Sequence, residues 1–164
     1  MNHLTSIDEC RDSKDSKDRL LKNQESSIHS KSMIKMQHFV QIYMNSAARM
    51  MHPISAYVCI LFSDRALGCM LKALYMKKNN CMFSPSYFSL QDIIQLTGQN
   101  SIPDLDKVMF IHTLNFVVGC NDASIFQHMD ALQLQKLLNR VDDVLIHLSG
   151  RVVSNPSELY RSIF

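Results

Sequence analysis

Arg140 and His147 stand seven residues apart in the stretch "RVDDVLIH". In a helix that advances about 100° per residue, such a step is two turns and returns to the same face. Lys136 and Arg151 fall on the same flank, so four basic side chains form a strip beside an apolar seam. An arginine fixed in such a strip can hold a phosphate bidentately while a neighbouring histidine gives or accepts a proton. Metal-independent cleavage of RNA needs that chemistry. The same spacing also describes the wet flank of any long helix, and spacing alone does not choose between the two.

Other chemistry-bearing residues give fewer constellations. Arg65 follows Asp64 on an apolar stripe, either with its head reaching water or a carboxylate or as a charge pointing into a polar pocket. The anion-binding candidates are therefore Lys136, Arg140, His147, Arg151 and Arg65. Seven histidines are present, yet none belongs to an HxxxH, ExxH or HExxH pattern. A metal would need His38, His52, His112 or His147 to converge from separate helices, so neither metal nor cofactor is expected. The five cysteines include no CxxC and are odd in number, which suits free thiols in a reducing compartment. No GxSxG turn supports a serine nucleophile.

A formal charge of +2 on 164 residues gives no long-range pull on nucleic acid, so any anion site must be local. No apolar run approaches the roughly 18 residues of a membrane span, and the first residues are charged where a signal peptide is apolar. A cytoplasmic protein with no membrane contact is expected.

The elements that position these residues read as helices, since Gly and Pro are scarce and Met and Leu abundant. Residues 1–32 are dense in alternating charges and serines and are expected to be a flexible or frayed helical arm. Residues 33–164 form the domain. Met36, Phe39 or Val40, Tyr43, Ala47 and Met50 recur at helical spacing until Pro53 interrupts.

A second helix from about Ile54 to Lys78 carries two apolar stripes, Val58, Phe62, Cys69 and Ala73 on one side and Ile60, Leu67, Met70, Leu71 and Leu74 on the other. One stripe serves the bundle, the other a central position or a second subunit. Ser89 with Asp92 predicts a capping box for a short helix closed by Gly98. A further helix, about Asp104 to Val118, puts Leu105, Met109, His112 and Phe116 on one face, expected to be core. The last, about Ser124 to Val153, has its apolar seam at 134, 138, 141, 145, 148 and 152. The fold class is all-α, an up-and-down four-helix bundle with a short extra helix in the second connection.

The order "ALGCMLKALYMKKN", polar loop, "SLQDIIQLTG" resembles the HEPN domains of prokaryotes, whose second helix commonly reads like "A-L-K-A-L-L" before a loop and an "H-x-L-x-x-L-L"-like turn. "FVQIYMNSAARMM" is similar to the first helix of that family, and the resemblance spans about residues 33–152. It implies a dimerising bundle with nucleotide or RNA-related roles, paired with a small nucleotidyltransferase or an antitoxin. Catalytic members carry Arg, four to six residues, then His on the last helix, and "RVDDVLIH" meets the upper limit. It departs from the active pattern where Val141 replaces a polar residue and Leu148 and Ser149 replace an "H-x-Y"-like continuation.

The expectation is therefore a non-catalytic binding or interaction module, homodimeric through one stripe of the second helix, with a nucleotide, RNA or a nucleotidyltransferase as partner. The alternative is an endoribonuclease using Arg140 and His147 across a dimer cleft. A DNA-reading role for "SLQDIIQLTGQNS" lacks the basic recognition face it would need.

Overall fold

No glycine or proline occurs between Asp8 and Arg49, and those 42 residues form one uninterrupted helix, α1. A computed structural model describes residues 8–98, 102, 104–153 and 155–164, with side chains from residue 27 onward. The described chain is all-helical, with α2 (Ala56–Asn79), α3 (Leu90–Thr97), α4 (Leu105–Gly119) and α5 (Ala131–Val152) following α1. Short 3-10 turns occupy Pro53–Ser55, Ala123–Phe126 and Pro156–Glu158.

The first helix thus begins far ahead of Met33, and most of the charged arm is continuous with it. Its first seven residues lie outside the described ones. Once the packed half of a helix is nucleated, each further residue costs little to add, and Lys, Arg, Glu and Gln are good helix formers. α1 has 42 residues against 24 in α2, so about 27 Å of it runs on past the end of α2 at 1.5 Å per residue.

Pro53 ends α1 as its spacing predicts. The His52 side chain accepts the Ile54 N–H, and the Cys59 thiol donates to the Met50 carbonyl at 2.9 Å, covering groups that a helix terminus leaves unpaired. α2 then returns antiparallel to α1, with Cys59 beside Ala47 at one end and His29 within 3.1 Å of the Met76 carbonyl at the other. Asn80 closes α2 in the left-handed region, at φ 46°.

α2 is the centre of the molecule and packs on α1, α3, α4 and α5. By length and composition the segment Pro53–Asn79 is apolar enough to cross a membrane, which the run-length criterion missed. Much of its surface is covered by its own chain. Ile60, Leu67, Met70, Leu71 and Leu74 are buried, and of the other stripe Ala73 is buried while Val58, Phe62 and Cys69 are half-buried. Phe62 stacks on Tyr43 of α1. The stripe expected to serve a second subunit is thus half-covered by the chain itself.

α3 is started by the predicted capping box, in which the Ser89 hydroxyl accepts the Asp92 N–H and the Asp92 carboxylate accepts the Ser89 N–H. α5 starts later than expected. Asp122 caps the 3-10 turn, and the helix begins afresh at Ala131 behind a second capping box made by Asp130 and Gln133. From there the seam at Leu134, Leu138, Val141, Leu145, Leu148 and Val152 is buried along its length.

α4 reverses its predicted orientation. Val108, Ile111 and Leu114 are its buried residues, while Leu105, Met109 and Phe116 are 62, 54 and 66% exposed. His112 is half-buried at the edge rather than in the core. The helix is apolar on both sides, so periodicity fitted the wrong stripe. The last residues, 155–164, fold back between α1 and α5: Gln41 both donates to and accepts from the Arg161 backbone, and the buried Asp142 holds Tyr160, Ser162 and Ile163.

Candidate functional site

The four strip residues of α5 share a flank but face three different neighbours. Lys136 is exposed. Arg140 leans across to the first turn of α4, where its guanidinium donates to the Asp106 carboxylate and its charged carbon lies 5.3 Å from the centre of the Phe110 ring. Both partners of the ion pair are exposed, so it stabilises the fold by about 1 kcal/mol at most. It matters more that Asp106 neutralises the charge that a phosphate would use.

His147, two turns further on, is half-buried. Burial pushes its imidazole below the ordinary value, Lys107 and Arg151 push in the same direction, and Asp104 opposes them. Asp104 is itself the cap of α4, accepting the Lys107 N–H and pairing with its ammonium, which holds its carboxyl below the usual carboxylate range. Arg140 and His147 thus both overlook the start of α4, among two carboxylates and a lysine. Arg151 turns away and donates to the carbonyls of Thr97 and Gly98 at the end of α3, at 2.9 and 3.0 Å.

The depressed His147 imidazole gives a pH prediction with a definite sign. A base whose folded pKa is depressed binds its proton more readily unfolded, so its contribution is present above the unfolded value and lost as pH falls. Stability of the wild type declines from about pH 6.5 downward, the ordinary histidine range. In a His147→Gln variant the decline between pH 7.5 and 5 becomes shallower, as read by urea midpoints at each pH. An unchanged slope would mean that other groups carry the dependence.

Arg65 occupies a separate place. It is exposed, and together with Asp64, Cys69, Lys72, Tyr87 and Asn115 it lines a cleft of about 190 Å³ between α2, α4 and the loop before α3. Burial raises the Asp64 carboxyl above its ordinary value, while a hydrogen bond from the Asn115 amide at 3.3 Å and the Arg65 charge pull it back. Burial likewise raises the Cys69 thiol, which leaves it a poor nucleophile. The sequence placed Arg65 beside a polar pocket, and the structure has one, but far along the chain from the α5 strip and already supplied with its own carboxylate.

Among the described residues no three His, Cys, Asp or Glu side chains converge. His38 faces the C-terminal segment, His52 caps the turn before α2, and His112 and His147 sit on α4 and α5.

A more spacious cleft than the one at Arg65 lies where the strip was not sought. A solvent-open cleft of about 650 Å³ is lined by Leu74, Lys77 and Lys78 at the end of α2, Ile94, Leu96 and Gly98 of α3 and its cap, and Arg151 of α5. In the sequence the two lysines stand only as the last turn of the second helix. Their meeting with Arg151 depends on three helices ending together, which no local pattern encodes. Searches with family models, among curated proteins and among solved structures find no match to this chain.

Proposed function

We propose that the chain is a non-catalytic interaction module, a HEPN-like up-and-down bundle that forms homodimers through the outer face of α4. The observation that carries this reading is the solvent-exposed row Leu105, Met109 and Phe116, continued by Ile102 at 73% exposure. Single exposed apolar residues are normal, whereas an aligned row on one helix marks a contact surface. The bundle topology is supported by pairings end to end. Asn115 meets Asp64 and Tyr57 meets Asn121, so α4 runs against α2, while Tyr57 meets Phe126 and Lys77 meets Arg151, so α5 runs with it.

A second copy suits the α4 face better than a nucleotidyltransferase, an antitoxin or RNA. The row carries no carboxylate, lysine or arginine, so two copies related by a two-fold axis meet without repulsion. Four side chains exposed by more than half offer about 400 Å² per copy, roughly half of what a standard interface buries on each side. An interface of that size belongs with weak, transient contacts. Arg140 pairs with Asp106, so a phosphate would have to displace that carboxylate before the endoribonuclease reading could use the guanidinium.

Sedimentation equilibrium between about 1 and 100 µM tests the proposal, with concentrations chosen to bracket a micromolar dissociation constant. The wild type is expected to dimerise, and Phe116→Asp or Met109→Lys to weaken association at least tenfold without loss of helicity. A wild type that stays monomeric throughout, or variants that associate as it does, would reject the α4 interface. RNA cleavage in EDTA that disappears in both Arg140→Ala and His147→Ala would replace the reading with the enzymatic one.

A further inference from the structure

The C-terminal ends of α2, α3 and α5 converge on one cavity, and three cations stand at the convergence. Lys77 donates to the carbonyl of Arg151 at 2.8 Å, Lys78 to that of Gln95 at 3.2 Å, and Arg151 to those of Thr97 and Gly98. Each thereby satisfies carbonyls that a helix end leaves unpaired. This structural duty does not exhaust them. An arginine has five N–H donors and a lysine three, so the bonds made among the described residues use two N–H groups of Arg151 and one of each lysine.

The charge is not exhausted either. A helix C-terminus is equivalent to about −0.5 elementary charge, so three ends against three full cations leave on the order of +1.5. Among the described residues the ion pairs are Lys107 with Asp104 and Arg140 with Asp106, neither of which involves this group. Among the described residues no carboxylate lines the cavity. A half-buried guanidinium with no counter-charge is costly unless an anion completes it. The opposite wall is apolar: Leu74 and Leu96 are buried and Ile94 is half-buried.

We propose that this cavity is a ligand site for a small phosphomonoester with an apolar body, its phosphate held by Arg151, Lys77 and Lys78 and its body lying on Leu74, Ile94 and Leu96. A dianion matches the residual charge better than a carboxylate, and a planar guanidinium presents paired donors to phosphate oxygens. The cavity volume of about 650 Å³ is that of sites for molecules of this size. The site is independent of the α4 dimer and of the Arg140 and His147 pair.

Isothermal titration calorimetry with phenyl phosphate, hexyl phosphate, inorganic phosphate and phenol tests it on the intact chain. The two esters are expected to bind at least tenfold more tightly than inorganic phosphate, and phenol not measurably. Arg151→Met removes a bond to two backbone carbonyls and risks the fold, so the deciding variant is Lys77→Met with Lys78→Met, both exposed. It should weaken ester binding at least tenfold while leaving the circular dichroism and dimer constant as they were. His147 provides a readout in the unmutated protein, because Arg151 is one of the charges that depress it. A bound phosphate should move its titration, followed by NMR, to higher pH. Neither ester binding, or esters binding no better than phosphate, or equal binding to the double variant, would overturn the proposal.

Discussion

Asp142→Ala lowers the unfolding free energy by about 3 kcal/mol and releases the last ten residues from the bundle, judging by the worth of buried bonds to a charged group. Asp142 is 3% exposed on α5. One carboxylate oxygen accepts from the Tyr160 hydroxyl at 2.5 Å and the Ile163 N–H at 3.2 Å, the other from the Ser162 hydroxyl at 2.5 Å. Truncation leaves the phenol, 6% exposed, with no acceptor. Relief from burying the carboxylate offsets only part of that loss, since removing one partner of a buried pair costs more than never having built it.

The same contact has an alkaline signature. Burial and the Asp142 charge push the Tyr160 phenol well above its ordinary range. A group whose folded pKa is raised contributes stability that is present below its unfolded value and lost as pH rises through the folded one. Wild-type stability therefore falls above about pH 10, and Tyr160→Phe flattens that fall. Urea denaturation gives the size of the effect, and hydrogen exchange at Ile163 locates it. A cost under about 0.5 kcal/mol, the level of an ordinary surface change, with Ile163 still protected, would show that the tail is held by something other than Asp142.

The elements that could be read from the sequence are those whose signals are local. Pro53, the Ser89 and Asp92 pair and the α5 seam each act within a few residues, and each stands where the pattern put it. Asp130 and Gln133 carry the same capping signature. It was hidden because Ser124 and the residues after it also fit a helical period. The long start of α1 was obscured differently. A polar, charged stretch reads as disorder by composition, but composition does not register that a packed helix next to it has already met the cost of nucleation.

The site residues divide along the same line. Spacing correctly puts Lys136, Arg140, His147 and Arg151 on one flank of α5, and it says nothing of what stands opposite. Asp106, 34 residues back along the chain at the start of α4, decides the chemistry there. Thr97 and Gly98 decide it for Arg151. Lys77 and Lys78 were visible as the basic last turn of α2, but the cavity they share with Arg151 exists only once α2, α3 and α5 end at one place.

Two leucines with the same local pattern measure how much tertiary context is worth. Leu67, on the central helix α2, is 2% exposed, and Leu105, in the first turn of α4, is 62% exposed. Leu67→Ala removes buried methyl groups from the central helix, on which α1, α3, α4 and α5 all pack. It should cost about 3 kcal/mol, within the range for leucine truncation in a packed core. Leu105→Ala takes its atoms from water, so in dilute monomer it should cost no more than about 0.5 kcal/mol. The two values diverge further if concentration is varied. A contact made only in the dimer stabilises the folded chain by mass action, so the Leu105→Ala deficit should grow with protein concentration while that of Leu67→Ala stays fixed. Guanidinium midpoints at several concentrations provide the comparison. A Leu105→Ala cost equal to that of Leu67→Ala at the lowest concentration would mean that the outer face of α4 is covered within one chain, and the self-association surface would have to be sought elsewhere.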